Sequence, residues 1–261
     1  MIGAIIGDIA GSRFESENIR TKDFDIFDDG CRFTDDSVLT LAVAKAILEC
    51  EGEYLSLDQK VVDCLREFGA KYPDRDYGRR FGEWLKSDNP HPYGSIGNGS
   101  AMRVSPVAYV ARDLDELKAL VYKVTSVTHN TEEAIKGAEA VASCIFLARK
   151  GYSKSEIEKF VETHYYKLDY NMDILRKYYR TYPNCNQTVP QAIFCFLEGD
   201  SFEDVIKTAI AIGGDSDTIA CIAGSIAAEF YPVLNSTKEK ALTYLPDELE
   251  DVYRAFASKF I

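Results

Sequence analysis

Three observations in the sequence predict an all-α protein. Apolar residues recur at helical spacing through most of the 261 residues, and the β-branched runs are short and lie inside those same periods. The periodic segments open on capping residues and close on glycine or proline. No Ser/Gly/Pro-rich linker, low-complexity tract or convincing repeat divides the chain. Its length can bury one substantial core, so residues 1–261 read as a single domain.

Residues 1–10 form an apolar start in which Gly3, Ala4, Gly7 and Ala10 would let a helix pack closely against neighbours. Asp8 and Glu15 interrupt it, about two helical turns apart, and by themselves read as a surface ion pair or a cap. Residues 16–31 alternate charges and aromatics without a period and predict an exposed loop, a possible flap carrying Glu15. Thr34 caps a helix over 37–50, with Asp35 and Asp36 in its first turn. Helical spacing returns at 57–72 and 77–86. Residues 88–100 are rich in Gly, Pro, Asn and Ser, which excludes a helix or central strand and marks a loop of functional length.

The spacing then predicts helices over 114–126 and over 134–150, the latter closed by Gly151. A capping box, Ser153 with Glu156, opens another over 153–166. Residues 165–186 are aromatic and polar and show no clear period; their tyrosines suit either packing or the wall of a ligand cleft. A helix over 188–197 would hold Pro190 in its first turn. Residues 202–212 lead into Gly213-Gly214, residues 217–231 form a helix ended by Pro232, and 237–245 and 247–259 close the chain.

The net charge of −12 and a pI near 4.8 argue against an electrostatic grip on nucleic acid or an anionic membrane. The seven cysteines are scattered, with no CxxC pair, and read as reduced, mostly buried thiols. The apolar start lacks a basic flank and contains Asp8, so it makes a poor signal peptide, and no window approaches a membrane span. These features predict a soluble cytoplasmic protein.

The densest chemistry lies in Gly213-Gly214-Asp215-Ser216-Asp217-Thr218, two carboxylates and two hydroxyls at the mouth of an apolar helix with no Lys or Arg among them. Buried charge of this kind needs backbone N–H groups, a basic side chain or a metal. Thr34-Asp35-Asp36 repeats the arrangement upstream, although taken alone it reads as ordinary capping chemistry. Two such mouths meeting around cations would present only oxygen, which favours Mg2+, Mn2+ or Ca2+ over zinc. The acidic positions and terminal Glu of an EF-hand are missing. Asp215 to Ile219 superficially match the nucleophile loop of haloacid-dehalogenase-like phosphatases, but that loop follows an N-terminal strand, and neither cluster has the DDxxD of isoprenoid synthases. Gly97-Asn98-Gly99-Ser100 offers unhindered N–H groups to a phosphate or hydroxyl-rich ligand, or forms a plain turn and cap. His129, at another helix mouth, fits a ligand contact or a structural hydrogen bond.

Together, Gly7-Asp8-x-x-Gly11-x-x-x-Glu15, Thr34-Asp35-Asp36, Gly97-Asn98-Gly99-Ser100-Ala101-Met102-Arg103, Thr128-His129 and Gly213-Gly214-Asp215-Ser216-Asp217-Thr218-Ile219-Ala220 resemble the motif set of the ADP-ribosylglycohydrolase family. That family includes dinitrogenase-reductase-activating glycohydrolases and ADP-ribosylhydrolase-3-like proteins. The motifs stand in the family's order and span most of the chain.

The resemblance implies a compact, orthogonal multi-helix fold and a binuclear centre of two Mg2+ (or Mn2+). It implies Thr34, Asp35, Asp36, Asp215, Asp217 and Thr218 as ligands. Gly97, Asn98, Gly99, Ser100 and Met102 would hold the distal ribose and diphosphate, with His129 near the same portion. Glu15, Asp36 and Asp217 would be the catalytic carboxylates, Glu15 either touching a metal or acting as base. Arginine-specific animal members do not keep a glutamate there, so Glu15 leans toward the other branches. The implied reaction is hydrolysis of a ribosyl C1''–acceptor bond in an ADP-ribosylated protein or small-molecule conjugate; the sequence leaves the oligomeric state open, with a monomer favoured. The alternative is a non-catalytic ADP-ribose-binding or sensing protein on the same fold.

Overall fold

The computed structural model describes residues 1–180 and 182–261 and, among them, fifteen α-helices and no strand. In chain order the helices are α1 (Ile2–Gly11), α2 (Asp35–Glu49), α3 (Leu57–Lys71), α4 (Arg79–Leu85) and α5 (Gly99–Met102). Next come α6 (Val107–Val110), α7 (Leu114–Ser126), α8 (Glu132–Arg149), α9 (Lys154–His164) and α10 (Met172–Tyr178). The last are α11 (Cys185–Glu198), α12 (Phe202–Ala211), α13 (Ser216–Phe230), α14 (Asn235–Leu242) and α15 (Asp247–Phe260). The all-α expectation therefore holds.

The centre of the fold is α13, buried from Ser216 to Ala227. Its small residues let neighbours approach closely, and α1, α8, α11 and α12 pack around it. Against α1 the approach is closest: a Cβ on Gly3 would lie 2.0 Å from the Gly224 carbonyl oxygen, and one on Gly7 2.1 Å from that of Ala220. Backbone contact at this distance leaves room for hydrogen only. The small residues of the apolar start thus serve the packing that their spacing suggests. On the far side, α2 packs on α3 and α15.

Capping fixes most helix starts. Thr34, Asp113, Thr131, Asn171, Asn184 and Ser201 each accept an N–H bond from the first turn that follows, and Ser153 and Glu156 complete the capping box. Asn184 moves one boundary. Its side chain accepts the Gln187 N–H at 3.0 Å, so α11 starts at Cys185 and Pro190 lies in the second turn rather than the first. The segment 165–186 contains α10, opened by Asn171; Thr181, inside that segment, lies outside the described residues.

Residues 16–31 form an irregular segment that is tied to the body of the fold at three side chains. Asn18, Arg20 and Lys22 bond to Gly214, to the Ile212 and Tyr179 carbonyls, and to Asp204, while Phe14 and Phe24 stack edge to face. All seven cysteines are buried and unpaired. No described helix is long and apolar enough to cross a membrane.

Candidate functional site

The site is built where α1, α2 and α13 converge. Asp8, in the middle of α1, is fully buried and not on the surface as its local sequence suggests. Every face of α1 is covered, so a carboxylate there has to be satisfied internally. Asp8 accepts the N–H groups of Thr34 and Ser37 at 3.0 and 3.1 Å and both of their hydroxyls. Its charge therefore sits at the positive N-terminus of α2 and fixes the turn that carries Asp35 and Asp36.

Gly213 and Gly214 (φ +70° and +79°) make the turn into α13 through a backbone conformation that side chains disfavour. Gly11 removes another obstacle, because a Cβ there would fall 2.5 Å from the Asp217 Cα. The result brings the two helix mouths together. The Thr218 hydroxyl donates to Asp36 Oδ2 at 3.1 Å, and the Asn98 amide donates to Asp215 Oδ2 at 2.7 Å. One carboxylate oxygen from each of Asp8, Asp36 and Asp217 lies within 4.8 Å of the others, and Glu15, Asp215 and Asp217 form a second such group. Asp217 belongs to both.

No basic side chain is paired with either group among the described residues; the nearby Arg32 is spent on Asp76 at 2.9 Å. Burial first, then neighbouring carboxylates, pushes Asp35, Asp36 and Asp217 well above the usual carboxylate range. Glu15, partly exposed, is raised by burial and then by Asp215 and Asp76. Asp36 Oδ1 is buried and has no hydrogen-bond partner. An orphaned carboxylate oxygen among raised acids and a threonine hydroxyl is a donor set that fits a hard divalent cation.

Above these carboxylates opens a cleft of about 450 Å³. Its lining includes Glu15, Asp35, Asp36, Asp215, Asp217 and Thr218 together with Gly97, Asn98, Gly99, Met102 and His129. Two of the residues singled out in the sequence do not line it. The Thr34 hydroxyl donates to Asp8, and the Ser100 hydroxyl faces the Ala134 carbonyl at 3.1 Å. His129 is held well below the usual histidine range by burial and by Arg103 and Arg80, so its ring is neutral.

Sequence reasoning missed Asp76, Arg103 and Asn18. Asp76 lines the cleft in a left-handed conformation (φ +64°), which no sequence signal marks. Arg103, fully buried, ends the Gly97-to-Arg103 motif, and its place in that motif was the one signal for it. Asn18 donates to the Phe14, Glu15 and Gly214 carbonyls and accepts the Gly214 N–H, tying the segment of Glu15 to the glycine turn.

Fold and site together define a class: an all-helical protein whose cleft is lined by carboxylates from two helix mouths and by a glycine-rich loop. The chain belongs to the ADP-ribosylglycohydrolase family, whose sequence model matches residues 1–234. It is similar to ADP-ribosylhydrolase ARH3 of Danio rerio, 25% identical over 89% of this chain and 82% of the relative. The Homo sapiens ARH3 is likewise 25% identical, over 88% of this chain and 84% of the relative. ADP-ribosylarginine hydrolase Tri1 of Pseudomonas putida (strain GB-1) is 27% identical over 53% of this chain and 39% of that protein. A solved ADP-ribosylglycohydrolase-related protein complex shares the fold, with a TM-score of 0.70 over 100% of this chain and 97% of the other, at 20% identity.

Proposed function

We propose that the chain is a divalent-cation-dependent hydrolase that cleaves the ribosyl C1''–acceptor bond of an ADP-ribosylated protein or small molecule and releases ADP-ribose. The observation that carries this reading is the meeting of two carboxylate groups through Asp217, with Asp36 Oδ1 unpartnered, in the cleft that Gly97 to Gly99 and His129 also line.

Asp35, Asp36, Asp215, Asp217 and Thr218 would hold two Mg2+ (or Mn2+). Thr34 donates its proton to Asp8, which leaves its oxygen lone pairs as what it can offer an ion. Bound there, the cations would supply Lewis acidity to the site. Gly97, Asn98 and Gly99 leave a narrow, polar wall for the distal ribose and diphosphate, with Met102 packing beside it and Ser100 securing the loop from behind. Bond cleavage develops positive charge on the ribose ring, which surrounding carboxylates stabilise. Glu15, raised by burial and like charge, is suited to take the proton of the attacking water near neutral pH. Seven buried, unpaired cysteines support a cytoplasmic setting.

The test is release of ADP-ribose from a panel of arginine-, serine-, carboxylate- and nucleobase-linked substrates, with Mg2+ or Mn2+ and with chelator. Turnover on at least one linkage that stops with chelator and in Asp217→Ala supports the reading. Tight ADP-ribose binding without turnover on any linkage assigns a binding protein, and turnover unaffected by chelator or by Asp217→Ala refutes the metal-centred chemistry.

A further inference from the structure

Arg103 is the most voluminous fully buried side chain in the fold, and it has no acidic partner among the described residues. Its guanidinium donates to the Val124 carbonyl at 3.1 Å and to the Thr128 hydroxyl at 2.7 Å; Nε and Nη1 have no partner. An uncompensated buried cation is costly, and stability alone is served better by an apolar residue. Its bond to Thr128 leads to the ligand cleft.

Thr128 Oγ1 lies 2.7 Å from His129 Nδ1. Arginine only donates, so the Thr128 oxygen is an acceptor toward Arg103. Its own proton then has two destinations, His129 Nδ1 at 2.7 Å or the Thr125 carbonyl at 3.5 Å. The second distance is at the limit of hydrogen bonding, so the proton goes to the imidazole. That makes Nδ1 an acceptor and leaves the ring's one proton on Nε2. Nε2 has no partner among the described residues, and two glycines lie beside it: a Cβ on Gly97 or Gly99 would lie 3.4 or 3.5 Å from it. The ring of Tyr93, 5.6 Å away, completes the setting.

We propose that Arg103 and Thr128 are positioning residues that lock His129 as a neutral Nε2–H donor facing the cleft. His129 is thereby a donor to an acceptor oxygen of the ligand, of phosphate or ribose type. It is not a general base, because the nitrogen able to take a proton is occupied by Thr128. Arg103, which also lines the cleft, acts on His129 through the hydrogen bond that it donates to Thr128. The ligand class rests on the ADP-ribosyl reading above; the tautomer does not.

The experiment is long-range 1H–15N correlation of 15N-histidine-labelled full-length protein, with His129→Gln to assign its signals against His91 and His164. Alongside it, ADP-ribose binding is measured by calorimetry. The wild type is expected to show His129 protonated at Nε2 only. Thr128→Val is expected to lose that single-tautomer pattern and to bind ADP-ribose about tenfold more weakly, while Thr128→Ser, which keeps the hydroxyl, recovers both. A wild-type His129 protonated at Nδ1, or a Thr128→Val protein with unchanged tautomer and affinity, overturns the proposal. If Thr128→Val does not fold, the wild-type tautomer decides alone. A wild type that keeps the Nε2–H tautomer but binds no ADP-ribose refutes the ligand assignment and leaves the relay standing.

Discussion

Asp8 and Thr34 are joined by two hydrogen bonds, from the Thr34 N–H and from its hydroxyl, and Ser37 adds two more to the same carboxylate. One side chain of α1 thus satisfies four donors at the start of α2. Asp8→Ala leaves these donors buried without an acceptor and is expected to cost about 2–4 kcal/mol. Urea unfolding followed by circular dichroism measures it. A loss below about 0.5 kcal/mol would mean that the α2 mouth is held by other contacts.

The pH dependence of ion binding follows from the raised carboxylates. Asp35, Asp36 and Asp217 have folded-state pKa values above their unfolded ones, so their protonated forms favour the folded state. That contribution is complete below the unfolded pKa and is lost as pH rises through the folded values, where the metal-free protein carries unrelieved repulsion. Saturating Mg2+ or Mn2+ is therefore expected to raise Tm more at about pH 8 than at about pH 5. Scanning calorimetry with and without the ion checks this; an equal shift at both pH values contradicts it.

Two glycines on one helix separate packing from site geometry. Gly7→Ala sets a Cβ 2.1 Å from the Ala220 carbonyl oxygen, and Gly11→Ala sets one 2.5 Å from the Asp217 Cα. Each clash is with backbone and is expected to cost about 1–3 kcal/mol. In addition, Gly11→Ala displaces Asp217, so it should weaken ion binding more than Gly7→Ala does. Calorimetric titration of Mn2+ into both folded variants tests the difference.

Asn18 ties the segment of Glu15 to Gly214 without contributing a carboxylate. Asn18→Ala is expected to lower turnover of the preferred ADP-ribosyl substrate about tenfold, equivalent to about 1.4 kcal/mol, with metal content unchanged. Single-turnover kinetics and metal analysis on the same preparation separate the two effects. Full activity in the variant would remove the latch from the account of Glu15.

The sequence is most informative where local chemistry dictates structure. Capping residues and helical spacing mark the helices, and small residues in α1 point to its close packing. Gly213-Gly214 and the acids after it, with Thr34 to Asp36, mark both helix mouths from local sequence alone. What stays hidden depends on distant partners. Asp8 reads as a surface acid because nothing local says that α1 is covered on every face. Asp76 owes its place to a left-handed turn and to Arg32, and Arg103 gains meaning only through Thr128, 25 positions away. Pro190 misleads on the start of α11 because Asn184 caps that helix a turn earlier.

The pairing of α1 with α13 also bears on how the chain is made. Ser216 bonds to Gly11 across 205 positions, so the α1–α13 contact joins segments synthesised far apart in time. At roughly 5–20 residues per second, α1 leaves the ribosome roughly 10–40 s before its partner exists. During that interval the face of α1 that α13 covers has only solvent against it, while α2 can already pack on another. The carboxylate cleft is among the last features of the molecule to form.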